Sequence, residues 1–365
     1  MITELCSNKK RQNANDAAPR IIDKEGSKLL RYGLGISINL GLLNFESMDV
    51  DETTLKISYP KSVVVEEKNY SYEEIACGNE IEIANLKKTT KEICINIPNN
   101  FLSEEPIVIH TNTFGNEFLK IKIIIGSNSK VKIIDYKESG ALGYVGRTTF
   151  IDVAKNTTLN YFSIQNHGLK KSSYEKKICT VKRDSTLNLN EFLLGSKNAV
   201  SEQISILQEE GASANLQNYF FSNENQEFDQ LAEAIHKAPR TNSDLKAKGV
   251  TQNNSKSLYR GNIHITENAH NSTGFQKAEI LMVDKLSQAD AIPQLLIDNN
   301  EVACSHAVAI GRIDEEKLFY FMSRGISEED AKKAIIQGMF EPEIEAIEIK
   351  KYQDIIYKKL TEKTK

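Results

Sequence analysis

Several kinds of segment are missing from this 365-residue chain, and each absence removes a class of protein. It holds no run of about 18 apolar residues, so no membrane-spanning helix is expected. Its first residues, Met1-Ile2-Thr3-Glu4-Leu5-Cys6-Ser7-Asn8-Lys9-Lys10, carry no apolar core of signal-peptide length. A soluble, cytoplasmic protein with no membrane partner is the expectation. Cysteine is sparse: Cys6, Cys77, Cys94, Cys179 and Cys304 are scattered without CxxC or zinc-ligand spacing. An odd, dispersed set reads as reduced thiols, each most simply a small buried hydrophobe. There is no GxxxxGK[ST] loop, no GxGxxG after a strand, no HExxH and no GxSxG, so nucleotide hydrolysis, dinucleotide binding and the corresponding hydrolases lack support. No large charge of one sign exists either. With 46 basic and 50 acidic residues the net charge is -4, which leaves no basic footprint for nucleic acid. Lys350-Lys351 and Lys358-Lys359 read as a solvated helix face.

What the chain does have is a repeat. Asn128-Ser129-Lys130-Val131-Lys132-Ile133 is echoed by Asn156-Thr157-Thr158-Leu159-Asn160-Tyr161. Asp184-Ser185-Thr186-Leu187-Asn188-Leu189 and Gly211-Ala212-Ser213-Ala214-Asn215-Leu216 follow, at offsets of 28, 28 and 27 residues. Each copy opens on a turn-forming residue and then alternates polar with apolar, as a half-buried strand does. Further alternating strands lie between copies, at 118–125 and 176–181. A steady period of turn plus strand marks a solenoid whose stacked coils share one core. The expected fold is mainly β: a right-handed parallel β-helix over 106–313, after an N-terminal mixed α/β region over 1–105. A β-sandwich also strings short strands together but needs no such period. A helical interruption is expected at 227–236, where Phe228, Leu231, Ala232 and Ile235 share a helical face, with a loop over 237–244. Residues 21–32 read as a short helix.

From 314 to 365 the pattern turns helical. Asp314-Glu315-Glu316 starts one helix and Gly325 ends it. Ser327-Glu328-Glu329-Asp330 resembles a capping box opening a second, with Ala331, Ala334, Ile335 and Met339 on its apolar side. Pro342 is expected to open a third, carrying Ile344, Ile347, Tyr352, Ile355, Ile356 and Leu360. These helices fit either a cap on the open end of the solenoid or a docking module separable from it.

The most informative run is Cys304-Ser305-His306-Ala307-Val308-Ala309-Ile310-Gly311. Alternation on a strand puts Val302, Cys304 and His306 on one face, so a thiol and an imidazole project side by side. Both can bind metal, and the imidazole can also move protons near neutral pH. His264 and His270 read as structural. Asp284, Asp290 and Asp298 are the carboxylates a β-helical carbohydrate-active enzyme would require, but they are not grouped to favour it. A purely structural solenoid that dimerises through a strand edge is a further alternative.

From about Ser257 to Glu343 the chain resembles the SufB/SufD family of iron–sulfur cluster assembly scaffolds. The matching stretches are 259–265 (Tyr259-Arg260-Gly261-Asn262-Ile263-His264-Ile265), 279–283, 289–297, the run 304–311 and 318–326. The resemblance implies a non-enzymatic β-helical scaffold that pairs with a SufB-like subunit or a second copy of itself. It also implies docking of a SufC-like ABC ATPase by the C-terminal helices, where Phe319, Tyr320, Arg324, Gly325 and Phe340 are the candidate contacts. ATP-driven closure of two ATPases would deform the paired scaffolds. His306, and with it Cys304, becomes the candidate cluster-assembly residue. Departures point to the SufD type. Ser287 stands where SufB-type chains have a cysteine, and Ala307 where they have a glutamate after the histidine. Cys304-Ser305-His306 matches SufD, although Ala307-Val308-Ala309 departs from its usual Gly-Ala-Thr. The cluster is therefore expected to be transient and formed only in the complex, with none on the isolated chain.

Overall fold

The computed structural model describes residues 21–22, 28–29, 48–51, 53–72, 80–140 and 142–364. Its body is two nine-stranded sheets facing one another, each coil of chain giving one strand to each. The first sheet runs Thr53–Ser58, Ile107–Thr113, Lys130–Ser139, Thr158–Asn166, Thr186–Leu193, Ser213–Ser222, Asn242–Thr251, Ser272–Met282 and Val302–Arg312. The second runs Val64–Asn69, Lys91–Ile97, Glu117–Ile125, Leu142–Val153, Lys170–Val181, Asn198–Leu207, Glu227–His236, Lys256–Ile265 and Gln288–Ile297. All ladders are parallel except the first of each sheet, where Thr53–Ser58 and Val64–Asn69 pair antiparallel. The protein is a β-solenoid, as the period requires.

The repeat offsets are the register of the ladder. Thr158 pairs with Lys130 and with Thr186, and Thr186 with Ser213. Each copy begins at a corner where one residue takes positive φ: Asn128, Asn156, Asp184 and Gly211, preceded by Asn100 and followed by Arg240 and Asn271. Asparagine tolerates this conformation better than most side chains. Amides also link coils at the corner, Asn156 Nδ2 donating to Asn128 Oδ1 at 3.2 Å.

Several expectations change. Residues 227–236 form a strand, not a helix, and 242–251 form the next strand, so the expected loop shrinks to the turn between them. In the strand, Phe228, Ala232 and Ala234 face the lumen while Leu231 and Ile235 are buried on the other side. Burial on both faces erases the alternation that identifies a strand. The parallel stack also starts earlier than Pro106, because Lys91–Ile97 already pairs with Glu117–Ile125. In the expected helix at 21–32, Ile21–Ile22 and Lys28–Leu29 pair as antiparallel strands; its other residues lie outside the described ones.

The lumen is apolar along much of its length, filled by stacks such as Val131, Leu159, Leu187 and Ala214. Continuing the same alternation carries charge inside. Arg147 Nη2 lies 2.9 Å from Asp135 Oδ1, Lys137 Nζ 2.5 Å from Glu175 Oε2, and Lys177 Nζ 2.5 Å from Glu191 Oε1. Three acids face three bases, and all six are buried. Burial pushes the Asp135 and Glu191 carboxyls up, but the neighbouring cations outweigh it and hold both below their ordinary values.

Among the described residues, four helices decorate the solenoid. Helix α1 (Glu80–Lys88) packs on the outside of the second sheet, where Ile81 meets Phe118, Tyr144 and Tyr174. After the last strand come α2 (Glu315–Ser323), α3 (Glu328–Glu345) and α4 (Lys350–Lys363). Asp314 caps α2 by accepting from the Glu316 N–H, and Gly325 at φ +84° follows it. Ser327 caps α3, accepting from the Asp330 N–H at 3.1 Å.

Pro342 does not open a helix; it lies inside α3, which is held through it by Phe340 and Ile344 packed on either side. The buried face of α3 is Ala331, Ile336, Phe340 and Ile344, rotated from the expected Ala334 and Ile335. The helices do not cap the open end. Instead α3 and α4 lie along the outer face of the first sheet, burying Ile134, Ile164, Phe192, Tyr219, Phe221 and Val250. Lys248–Glu343 and Lys132–Glu348 ion pairs flank this contact. The segment 314–365 is therefore not a separable module, because removing it would strip an apolar sheet face. No helix among the described residues is long and apolar enough to cross a membrane.

The terminal coil as candidate functional site

Because the helices lie to the side, the last coil is uncovered among the described residues. Val302–Arg312 closes the first sheet and pairs only with Ser272–Met282; Gln288–Ile297 closes the second. Each leaves one edge of backbone donors and acceptors without a strand partner among the described residues. Ile297, Val308 and Ile310 are exposed beside those edges. Long apolar edges of this kind are templates for pairing with another chain.

Cys304 and His306 sit on this terminal strand. Their register partners are Gly274 and Gln276, which face the lumen, so both side chains stand on the lumen side of a coil with none beyond it among the described residues. Cys304 is half-buried and packs against the core, and burial raises its thiol pKa, opposed by a hydrogen bond with the Gly274 backbone. His306 is exposed. The strand thus brings the two together as the alternation requires, and makes the imidazole the more accessible.

Two donors do not complete an iron site of the usual four thiolates. Among the described residues, no group of three or more His, Cys, Asp or Glu could hold a metal ion. Ser287 is buried and donates to the Asp284 carbonyl at 3.1 Å, so that position is part of a turn. Asp284 accepts from the Leu286 N–H and Asp298 pairs with His264 at 3.0 Å, so neither joins a carboxylate cluster. His270 lies 3.0 Å from Asn299 Nδ2.

Two residues, Ile313 and Asp314, separate this strand from α2, which buries none of its residues. Phe319 is 72% exposed and Tyr320 56%, and the Arg324 guanidinium lies over the Tyr320 ring at 5.1 Å. Gly325 lets the chain turn from α2 to α3. Phe340 does not share this surface. At 1% exposed it is core between α3 and the first sheet, so the arrangement removes it from the candidate contacts.

Sequence reading missed the residue behind His306. Gln276 is 5% exposed, and its Nε2 donates to the Gln294 carbonyl of the opposite sheet at 3.3 Å. The signal was available: counting the 30-residue offset back from His306 reaches it, but that offset differs from the 28-residue period of the earlier coils.

Comparison with known proteins agrees with this architecture. The family model for the SUF system FeS cluster assembly SufBD core domain matches residues 108–339. The chain is 32% identical over 192 residues to Iron-sulfur cluster assembly SufBD family proteins of Staphylococcus aureus (strain USA300) and Staphylococcus epidermidis (strain ATCC 12228 / FDA PCI 1200). Those matches cover 53% of this chain and 41% of each relative, so the chain spans less than half the length of the curated relatives it matches. With the family model extending over most of the solenoid and into α3, this chain belongs to the SufBD core family of SUF-system iron–sulfur cluster assembly proteins.

Proposed function

We propose that this chain is a non-ATPase scaffold subunit of a Suf-type assembly complex, with the iron–sulfur cluster as its cargo. Its open terminal coil pairs with a SufB-like subunit or a second copy, and α2 docks a SufC-like ABC ATPase. The observation that carries this reading is the continuity of the terminal strand. The edge bearing Cys304 and His306 runs within two residues into a helix whose aromatic face is exposed.

The chemistry follows from the donor count. Cys304 and His306 offer two donors to the facing chain, and the remaining ligands come from that chain. The edge strand is tied to the solenoid by one ladder only, whereas α3 and α4 are fixed by a large apolar contact. A pull on α2 therefore acts first on the strand holding His306. ATPase movement then changes the distance between the paired edges, which makes cluster formation depend on nucleotide state.

Two expected results test this. Phe319→Asp with Tyr320→Asp should weaken binding to a co-expressed SufC-like ATPase by about 2 kcal/mol or more, roughly thirtyfold. Because α2 buries nothing, the melting temperature should stay unchanged. Full-strength co-purification by this double variant would remove α2 from the docking surface. Separately, His306→Ala should reduce cluster assembly in cells while leaving the fold and chain pairing intact. The isolated wild-type chain, reconstituted with iron and sulfide, should hold no stable cluster. A stoichiometric cluster on the single chain that survives His306→Ala would overturn the placement of the site.

A further inference from the structure

The C-terminal helices cover part of the outer face of the first sheet, and beside them lies a cleft of about 500 Å³. Clefts of this size hold small ligands. One row of its floor runs Lys132, Asn160, Asn188, Asn215 and Asp244, each the register neighbour of the next, and so spans four ladder steps, about 19 Å. A parallel row sets Phe162, Asn190 and Gln217 beside it. Glu348, in the link between α3 and α4, stands on one wall. The asparagines form a ladder: Asn215 Nδ2 donates to Asn188 Oδ1 at 2.7 Å, and Asn188 Nδ2 to Asn160 Oδ1 at 2.8 Å. A carboxamide has two N–H donors and two lone pairs, so beyond the ladder Asn188 keeps one donor and one acceptor for the cleft. Lys132 is tied to Glu348 at 2.5 Å and Lys246 to Asp244 at 2.6 Å, so the charges at the two ends cancel. Half-buried Phe162 adds an apolar patch.

We infer that this cleft binds a neutral linear oligosaccharide along the asparagine row. The matching ligand is uncharged, donates and accepts along its whole length, and has an apolar face. Sugar hydroxyls both donate and accept around the ring, and the ring C–H groups pack against an aromatic side chain. An extended peptide fits the row less well. Its carbonyls on one side recur every two residues, about 6.7 Å, out of step with amides about 4.8 Å apart. A nucleotide would need a cation for its phosphate, and both lysines are already held by carboxylates. Those carboxylates stand at opposite ends of the cleft rather than flanking one bond, so the arrangement binds a glycan without the acid pair that would cleave it. The inference does not depend on the assembly reading.

The experiment is saturation-transfer NMR on the full-length chain with maltotriose, cellotriose and xylotriose, and with adenosine and triglycine for comparison. At least one trisaccharide should receive saturation and titrate with a Kd of about 1 mM or tighter. Asn190→Leu, outside the bonded ladder, should weaken that binding about fivefold or more, the loss of one hydrogen bond, with the melting temperature unchanged. Asn188→Leu removes the centre of the ladder and should weaken binding at least as much; if that variant does not fold, Asn190→Leu decides. Three results would each overturn the inference: no saturation of any trisaccharide, full-strength binding by folded Asn190→Leu, or a preference for adenosine or triglycine over every sugar.

Discussion

Replacing Arg147 with methionine should lower the free energy of unfolding at pH 7 by about 3–5 kcal/mol, because it leaves a buried carboxylate with part of its compensation gone. Arg147 is held inside the lumen against Asp135, whose other oxygen accepts from the Tyr161 hydroxyl at 2.8 Å. Methionine fills similar space, so the loss comes from charge rather than from a cavity. The same cluster sets an acid limit. Asp135, Glu175 and Glu191 all have folded pKa values held below the unfolded ones. A depressed carboxyl contributes stability that is complete above the unfolded value, about 4, and is lost as pH falls through the folded value. Urea titrations of the wild type should therefore show stability falling below about pH 5 as these carboxyls protonate. That fall adds to a loss that begins near pH 6.5, where the unfolded chain protonates His236 while burial lowers its folded pKa to about 4. Arg147→Met should start lower and lose less over the acid range. A variant as stable as the wild type at pH 7 would show that the lumenal charges are not energetically coupled.

Phe340→Ala should cost about 3–5 kcal/mol, the usual range for removing a buried aromatic ring. Phe340 packs in the contact that α3 and α4 make with Phe192, Tyr219, Phe221 and Val250. Amide exchange should accelerate across 328–363 before it does in the lumenal strands, because the lost contacts lie between the helices and the sheet. Phe319→Ala, by contrast, should stay within about 0.5 kcal/mol of the wild type, as surface substitutions do. The pair separates two phenylalanines that sequence alone placed on one docking surface. Equal effects from the two would contradict the division between exposed α2 and buried α3.

Much of the solenoid was legible because its cause is local. A turn residue able to take positive φ at Asn128, Asn156, Asp184 and Gly211, followed by alternation, is repeated at the spacing of one coil. The same holds for the caps at Asp314 and Ser327, where a side-chain oxygen meets an N–H within three residues. Alternation also placed Cys304 and His306 on one face, and the resemblance carried by 259–326 identified the family.

Where burial depends on distant partners, the sequence was silent or misleading. Residues 227–236 read as a helix because both faces of that strand are covered, which hides its period of two. Ala334 and Ile335 gave way to Ile336 and Phe340 because the sheet, not the composition of the helix, chooses the face that docks. Whether the C-terminal helices cap the end or lie along the side was undecided by pattern, since an apolar stripe does not name its partner. Tertiary packing put them on the first sheet, and so left the terminal coil open with His306 at its edge. The sequence determined the coil and its repeat through local turn geometry and alternation. Only the tertiary structure decided which end stayed free and what stands behind His306, because those depend on contacts between residues far apart in the chain.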